Sequence, residues 1–348
     1  MVVEVPRRRR TPQGQREAGA RSVLFTGRGA GWYSELAQPA IMGQPMTKRS
    51  AATSEPDHYD GDGGEEAVPL AVWPCAQTTA QWQRAGTYLP ECREHPGKML
   101  PDLARRIIRG YSRPGDPICD PMCGSGTTLV EAARLHRRAV GVDVEDRWVD
   151  LTARNLDHVL DNATRPLADV RVGHARKLTD VLADATGQVD LVATSPPYAC
   201  AVGVIDKPAW LAGARLCDRD TLNYSLDTVN LGHARGEAYR DAMTAVYQAC
   251  FAALRPGGPL VTVTKNTRRG GRLVDLAAAT RRLATAVGFA HLQHVVALHV
   301  GIRDSRLIPR PSFWQLHHLR RAHAAGHRVH LVAHEDVLVF AKPETSHG

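Results

Sequence analysis

The sequence predicts a doubly wound α/β protein built on a mostly parallel sheet. Three observations carry that reading. Short apolar segments alternate with helical segments of 10–17 residues, the pattern of parallel strands joined by crossover helices. A Gly-rich turn around Gly124 and Gly126 separates one such strand from the next helix. A second, stiff turn, Ser195-Pro196-Pro197-Tyr198, follows a later apolar strand. Ligand sites of open α/β sheets form at strand-end turns of this kind.

The first 67 residues keep no helical or strand period. They hold the run Arg7–Arg10, scattered Gly, Pro and Ser, and the acids Asp57, Asp60, Asp62, Glu65 and Glu66, and so read as disordered. Met42 or Met46 is an alternative start, which would make most of this extension a mis-annotation. Residues 68–343 read as one domain. Lys98–Tyr111 has a helical pattern and leads into the apolar strand Pro117–Cys119. After the Gly-rich turn come a helix Thr127–Arg138, a strand Ala139–Val142 and a helix Arg147–Leu160. Strands are expected at Val170–Val172 and Val189–Ala193, then an irregular insert at 199–236. The helix Ala238–Leu254 is stopped by Arg255-Pro256-Gly257-Gly258, where a proline and two glycines cannot continue it. The strand Leu260–Thr264, the helix Leu273–Val287 and strands at Leu292–Leu298 and Val337–Phe340 complete the pattern.

Composition narrows the function. With 348 residues, 43% of them hydrophobic, the chain can bury a large core. No apolar run approaches the roughly 20 residues of a membrane-spanning helix. No apolar stretch follows Arg7–Arg10 as a secretory leader requires, so a cytoplasmic protein is expected. The seven cysteines include no CxxC pair, which argues against a disulfide scaffold or a zinc ribbon. The formal net charge is +8, and its excess is uneven. Between Lys265 and His330 there are 12 Lys or Arg, eight His and only two acids, Asp275 and Asp304, a balance suited to a phosphate-rich ligand.

The turn reads Asp120-Pro121-Met122-Cys123-Gly124-Ser125-Gly126-Thr127-Thr128. Its glycines permit a sharp bend and a ligand's close approach, and the following helix offers free N–H groups and a positive dipole end. Asp143, 17 residues after Gly126, ends the next strand, where an acid can accept both hydroxyls of a ribose. A nicotinamide dinucleotide fits poorly, because Leu129 replaces the third glycine of the fingerprint. Asp120 is placed to receive the ammonium of an amino acid. Carboxylate at the helix end, ammonium at Asp120 and ribose at Asp143 together describe S-adenosylmethionine. Cys119 and Cys123 flank the loop and are expected to pack beneath it. Lys98 is placed either to reach the cofactor carboxylate or to serve as a surface lysine at a helix start.

In Ser195-Pro196-Pro197-Tyr198 the two prolines fix φ and remove two N–H donors, leaving stiff carbonyls free to accept. A carbonyl and the serine oxygen can both accept hydrogen bonds from an exocyclic amino group, building electron density on its nitrogen. Tyr198 can stack on a flat base and hold it in line with a sulfonium methyl.

With these residues in view, the chain resembles the S-adenosylmethionine-dependent amino methyltransferases of DNA, which modify cytosine N4 or adenine N6. The resemblance rests on Asp120–Thr128, Asp143 and Thr194–Tyr198, and extends to His95–Ile108, to Leu254-Arg255-Pro256-Gly257-Gly258 and to the closing His334–Pro343. It implies the Rossmann-like fold of the class I methyltransferases, and Ser at the first tetrapeptide position leans toward cytosine N4. Three departures matter. The cofactor loop precedes the tetrapeptide, which is also similar to the THUMP-associated tRNA guanine-N2 methyltransferases. His174 stands in Gly173-His174-Ala175-Arg176 where the family often has an acid touching adenine; an imidazole nitrogen would have to make that contact. No large target-recognition domain is visible beyond the insert 199–236 and the basic segment 265–334, which leaves room for a separate specificity or restriction partner. Arg303, Arg306, Arg310 and Trp314 are the expected nucleic-acid contacts, guanidinium groups for phosphates and an aromatic for stacking. His323 and His327 are spaced i, i+4, but no Glu or Cys set accompanies them, so no metal is expected. A tRNA guanine-N2 enzyme and a catalytically weak nucleic-acid-binding protein are the alternatives to a DNA methyltransferase.

Overall fold

A computed structural model describes residues 69–95, 97–183, 185–197, 231, 234, 236–269 and 272–344. The expected disordered extension, Tyr198 and nearly all of the insert 199–236 lie outside the described residues. The first half of the chain gives β1 (Val72–Pro74), α1 (Ala80–Arg84), α2 (Pro101–Tyr111), β2 (Pro117–Asp120), α3 (Thr127–Arg134), β3 (Arg138–Asp143), α4 (Asp146–Val159), β4 (Ala168–Val172), α5 (Leu178–Val181) and β5 (Leu191–Thr194). The second gives α6 (Gly236–Ala253), β6 (Pro259–Thr264), β7 (Thr267–Arg269), β8 (Arg272–Val274), α7 (Leu276–Val287), β9 (Ala290–Leu298), β10 (Val300–Arg303), β11 (Arg306–Pro309), α8 (Phe313–Ala324) and β12 (His334–Ala341).

Eight strands form one sheet in the order β1-β9-β12-β6-β5-β2-β3-β4. All neighbours are parallel except β12, which runs antiparallel to both β9 and β6. The chain winds outward from β2 through β3 to β4, then returns to β5 on the other side of β2. That reversal is the topological switch point, where the loops after neighbouring strands part and leave a crevice. The C-terminal ends of β2, β5, β6 and β9 therefore share one edge, and β12 starts from it. One face of the sheet packs under Leu103, Ile107 and Ile108 of α2, Leu129 and Val130 of α3 and Leu156 of α4. The other packs under Met243, Val246, Tyr247 and Cys250 of α6, with Phe289 and Phe340. No helix among the described residues is long and apolar enough to cross a membrane.

The expected doubly wound sheet is thus present, with local corrections. α2 starts at Pro101 rather than Lys98, since Leu100 is extended and proline favours the first helical position. α3 ends at Arg134, four residues before the expected Arg138. There His136 turns left-handed at φ 61°, and buried Arg137 donates to the Ser112 carbonyl at 2.6 Å. α7 begins at Leu276 because the Asp275 side chain caps it, accepting from the Ala278 N–H at 2.9 Å, and the residues before it form β8. The pairs β7–β8 and β10–β11, the edge strand β1 and the helix α8 are additions that the periodicity does not predict.

The segment after α1, and α2, are tied to α3 by a buried acid. Glu131, fully buried, accepts from the Tyr88 hydroxyl at 2.5 Å and from the Arg105 guanidinium at 3.1 Å. Removing one member of a buried charged network leaves the others desolvated and unpaired. Glu131→Ala is expected to lower the unfolding free energy by about 3–5 kcal/mol. Tyr88→Phe, which removes a single hydrogen bond, should cost about 1 kcal/mol. Urea denaturation followed by tryptophan fluorescence measures both; equal losses would deny Glu131 its central place.

Candidate active site

The Gly-rich loop is seated by its neighbours on three sides. Gly124 (φ +53°) and Gly126 (φ +79°) both adopt backbone that L side chains rarely take. A Cβ on Gly124 would stand 2.6 Å from His95 Nε2, and one on Gly126 would stand 2.6 Å from Thr152 Cγ2. Glycine is therefore required by packing within the protein, besides any ligand. From α4, the Thr152 hydroxyl donates to the Gly124 carbonyl at 2.7 Å and the Asn155 amide to the Ser125 carbonyl at 3.3 Å. His95 is buried and sits edge-on to Trp148, ring centroids 4.6 Å apart; burial lowers its pKa to about 3, so the ring is neutral.

Two carboxylates complete the seat. Asp143 accepts from the Gly124 N–H at 2.9 Å and from the Glu145 N–H at 3.0 Å, one on each oxygen. Each oxygen keeps a second acceptor site, and two ribose hydroxyls match that remaining capacity. Asp120 accepts from the Thr128 hydroxyl at 2.7 Å and the Met122 N–H at 3.1 Å. Burial raises both carboxyls to about 6. Gly126 caps α3 with no side-chain bond, so the first-turn N–H groups of Thr127 and Thr128 stay available to an anion. Lys98 turns its ammonium onto the carbonyls of Arg93, at 3.2 Å, and His95. Both partners are neutral, and burial lowers Lys98 to about 8. The donor set thus fits S-adenosylmethionine: acceptors for ribose and ammonium, and N–H groups with a lysine for a carboxylate. Cys123 lies 7% exposed at the loop and Cys119 is fully buried beneath it.

β5 delivers Ser195, Pro196 and Pro197 beside this loop. One cavity of about 1780 Å³ is lined by Lys98, Asp120, Pro121, Cys123, Gly124, Ser125, Thr127, Thr128, Asp143, His174, Ser195, Pro196 and Pro197. Gly126 shapes the loop without lining the cavity. The Pro197 carbonyl is not free as expected, because the Tyr239 hydroxyl of α6 donates to it at 2.9 Å. No hydrogen bond reaches the Pro196 carbonyl among the described residues. Of the two proline carbonyls, Pro196 therefore keeps its accepting capacity. His174 caps a short 3-10 turn, Ala175–Lys177, and faces the cavity partly buried.

The expected nucleic-acid residues separate. Arg303 and Arg306 are exposed on β10 and β11. Arg310 lines the cavity, yet its guanidinium donates to the Gln77 carbonyl at 3.3 Å. Trp314 stands in the first turn of α8, and its side chain is outside what is described. Sequence reasoning gave no role to Thr152, Asn155 or Tyr239, since their partners lie 28, 30 and 42 residues away along the chain. No group of His, Cys, Asp and Glu able to hold a metal occurs among the described residues.

The two raised aspartates set a pH dependence. Unfolded aspartate titrates near ~4, so between about pH 4 and 6 the folded protein holds more protons than the unfolded chain. Stability from these groups is present at the acid end of that window and is lost as pH rises through the folded values. In thermal unfolding, the wild-type midpoint taken relative to Asp143→Asn should fall between about pH 4 and pH 6. A relative midpoint that climbs over this range would contradict the burial of Asp143.

Comparison with known proteins adds a family. Residues 36–154 match the family described as DNA methylase, a stretch that starts upstream of the described fold and includes the loop and Asp143. A tRNA (guanine(10)-N2)-dimethyltransferase of Methanothermobacter thermautotrophicus is 36% identical over 105 residues, 30% of this chain and 29% of the relative. The type II methyltransferase M2.DpnII of Streptococcus pneumoniae is 41% identical over 64 residues, 18% of this chain and 24% of the relative. The DNA adenine methyltransferase YhdJ of Escherichia coli is 29% identical over 106 residues, 30% and 34% of the two chains. The chain thus spans about a third or less of the length of these relatives. Over residues 36–154 this chain is similar to the DNA methylases, and part of it is similar to tRNA guanine-N2 dimethyltransferases as well.

Proposed function

We propose that this protein is an S-adenosylmethionine-dependent N-methyltransferase of nucleic acid, acting on the exocyclic amino group of a base in DNA, with cytosine N4 ahead of adenine N6. The observation that carries the reading is that the Gly-rich loop, Asp143 and Ser195-Pro196-Pro197 line one cavity from the adjacent strands β2, β3 and β5. Asp143 would hold the ribose, Asp120 the ammonium, and the α3 N-terminus with Lys98 the carboxylate. When bound, the cofactor supplies an electrophilic methyl group. The chain's own work is to position and polarise the base. The Pro196 carbonyl and the Ser195 hydroxyl accept from the amino group, drawing its lone pair away from the ring and toward the methyl. Tyr239 fixes Pro197, so the accepting segment is held stiff when the base arrives. Tyr198 stacks on the ring. In a duplex the base must first leave the stack to reach this segment.

The second reading is methylation of guanine N2 in tRNA, favoured by the motif order and by the similarity to the archaeal dimethyltransferase. The catalytically weak binding protein finds its support in His174 alone, against an intact loop and an available Pro196 carbonyl.

Tritiated S-adenosylmethionine offered separately with genomic DNA and bulk tRNA, each then digested to nucleosides, tests the proposal. Label in methylcytosine or methyladenine of DNA is the expected result; label in methylguanosine of tRNA would replace it with the second reading. In the same assay Tyr198→Ala should lose turnover by about 100-fold while cofactor binding persists, since misplacing a substrate by about 1 Å costs that much. Unchanged turnover would remove Tyr198 from the site.

A further inference from the structure

Two short ribbons leave the sheet edge that carries the loop and the tetrapeptide. β7 follows β6 after Lys265 and Asn266, and β10 follows β9 after His299 alone. β6 and β9 both run antiparallel to β12, which lies between them. The ribbon roots are therefore parallel and two strand spacings apart, roughly 10 Å. Neither ribbon joins the main sheet; β7 pairs only with β8 and β10 only with β11.

The register at each tip sets arginine against arginine, Arg269 opposite Arg272 and Arg303 opposite Arg306. Like charges directly opposite destabilise a ladder, and a two-stranded ribbon has little stability to lose. In the second ribbon Asp304 (φ 48°) and Ser305 (φ 60°) make a two-residue turn that holds the arginines at its base. Arg268, Arg272, Arg303 and Arg306 are exposed, and none is in an ion pair with a described residue. Ile302 and Leu307, cross-strand partners beside the tip, are 48% and 63% exposed, so no core covers that side. An arrangement repeated on two ribbons, each costly to the isolated protein, is relieved by an extended polyanion.

We propose that the two ribbons are paired phosphate clamps at the cavity that grip the backbone of the nucleic acid on either side of the base being modified. Arg268 of the first ribbon and Pro309 of the second both line the cavity that holds the tetrapeptide. The proposal deepens the methyltransferase reading and rests on it. Its chemistry is the phosphodiester backbone, common to DNA and RNA.

The test uses the full chain with S-adenosylhomocysteine, measuring binding of a labelled duplex DNA and of a tRNA by fluorescence anisotropy across a salt series. Arg268→Gln with Arg272→Gln, and separately Arg303→Gln with Arg306→Gln, should each reduce the slope of log K against log salt on duplex DNA by about 2, from roughly 0.9 per phosphate contact. Affinity should fall tenfold or more, with S-adenosylhomocysteine binding unchanged as proof of an intact fold. Arg303→Glu places opposite charges at the tip and should raise the thermal midpoint while weakening nucleic-acid binding, a combination that a purely structural role does not produce. The preferred source, DNA or tRNA, is the one on which the slope changes. Unchanged affinity and slope in both double variants, with a wild-type protein that still methylates nucleic acid, would overturn the clamps and leave the function standing. A wild-type protein that binds S-adenosylhomocysteine but neither binds nor methylates nucleic acid would overturn the function and the clamps together.

Discussion

The arrangement of the site depends on how the loop after β2 is gripped. Asp143 takes the Gly124 N–H, Thr152 takes the Gly124 carbonyl as donor, and the His95 ring closes the third side. One residue is thereby fixed from β3, from α4 and from the segment before α2. Through it, the free N–H groups at the start of α3 are aimed at the same space as the end of β5. Had this loop been held only by its own turn, the helix dipole and the Asp143 carboxylate would drift independently. Because Asp143 both secures the loop and faces the cavity, structural and ligand-binding demands fall on one carboxylate.

The same wall carries a desolvated set of charges. Asp120 and Asp143 lie near 6, Lys98 near 8, and His95 is kept neutral at about 3, all chiefly through burial. Carboxylates in such surroundings favour a cationic or hydroxyl partner more strongly than they would in water, because the desolvation has already been met by folding. On the proposed reading, a zwitterionic ligand would meet carboxylates and N–H donors whose desolvation folding has already met.

Much of this was legible in sequence, and the parts that were not share a cause. The loop, Asp143 and Ser195-Pro196-Pro197 are compact motifs whose chemistry is local, so residue identity alone places them at strand ends. The seven inner strands of the winding announce themselves by apolar runs bounded by turns. By contrast α8 is rich in Arg and His, and β10 and β11 are four-residue strands too short to show a period. The early end of α3 went unseen because His136 supplies a left-handed turn that sequence assigns to glycine or asparagine. Tyr239 was silent for another reason: its partner is a backbone carbonyl 42 residues earlier, and no side-chain type encodes such a bond.

That bond has an architectural consequence. Pro197 and Tyr239 stand at the two ends of the segment that separates β5 from α6, and the hydroxyl–carbonyl contact pins those ends together. Any chain that joins Pro197 to Tyr239 thus starts and ends on a fixed base. Lengthening such a loop is thermodynamically cheap, about 0.6 kcal/mol for each doubling. Segments of different length and composition can be exchanged between these two anchors while the accepting carbonyl of Pro196 stays where it is. The fold thus offers a socket into which new selectivity can be fitted without rebuilding the chemistry below it.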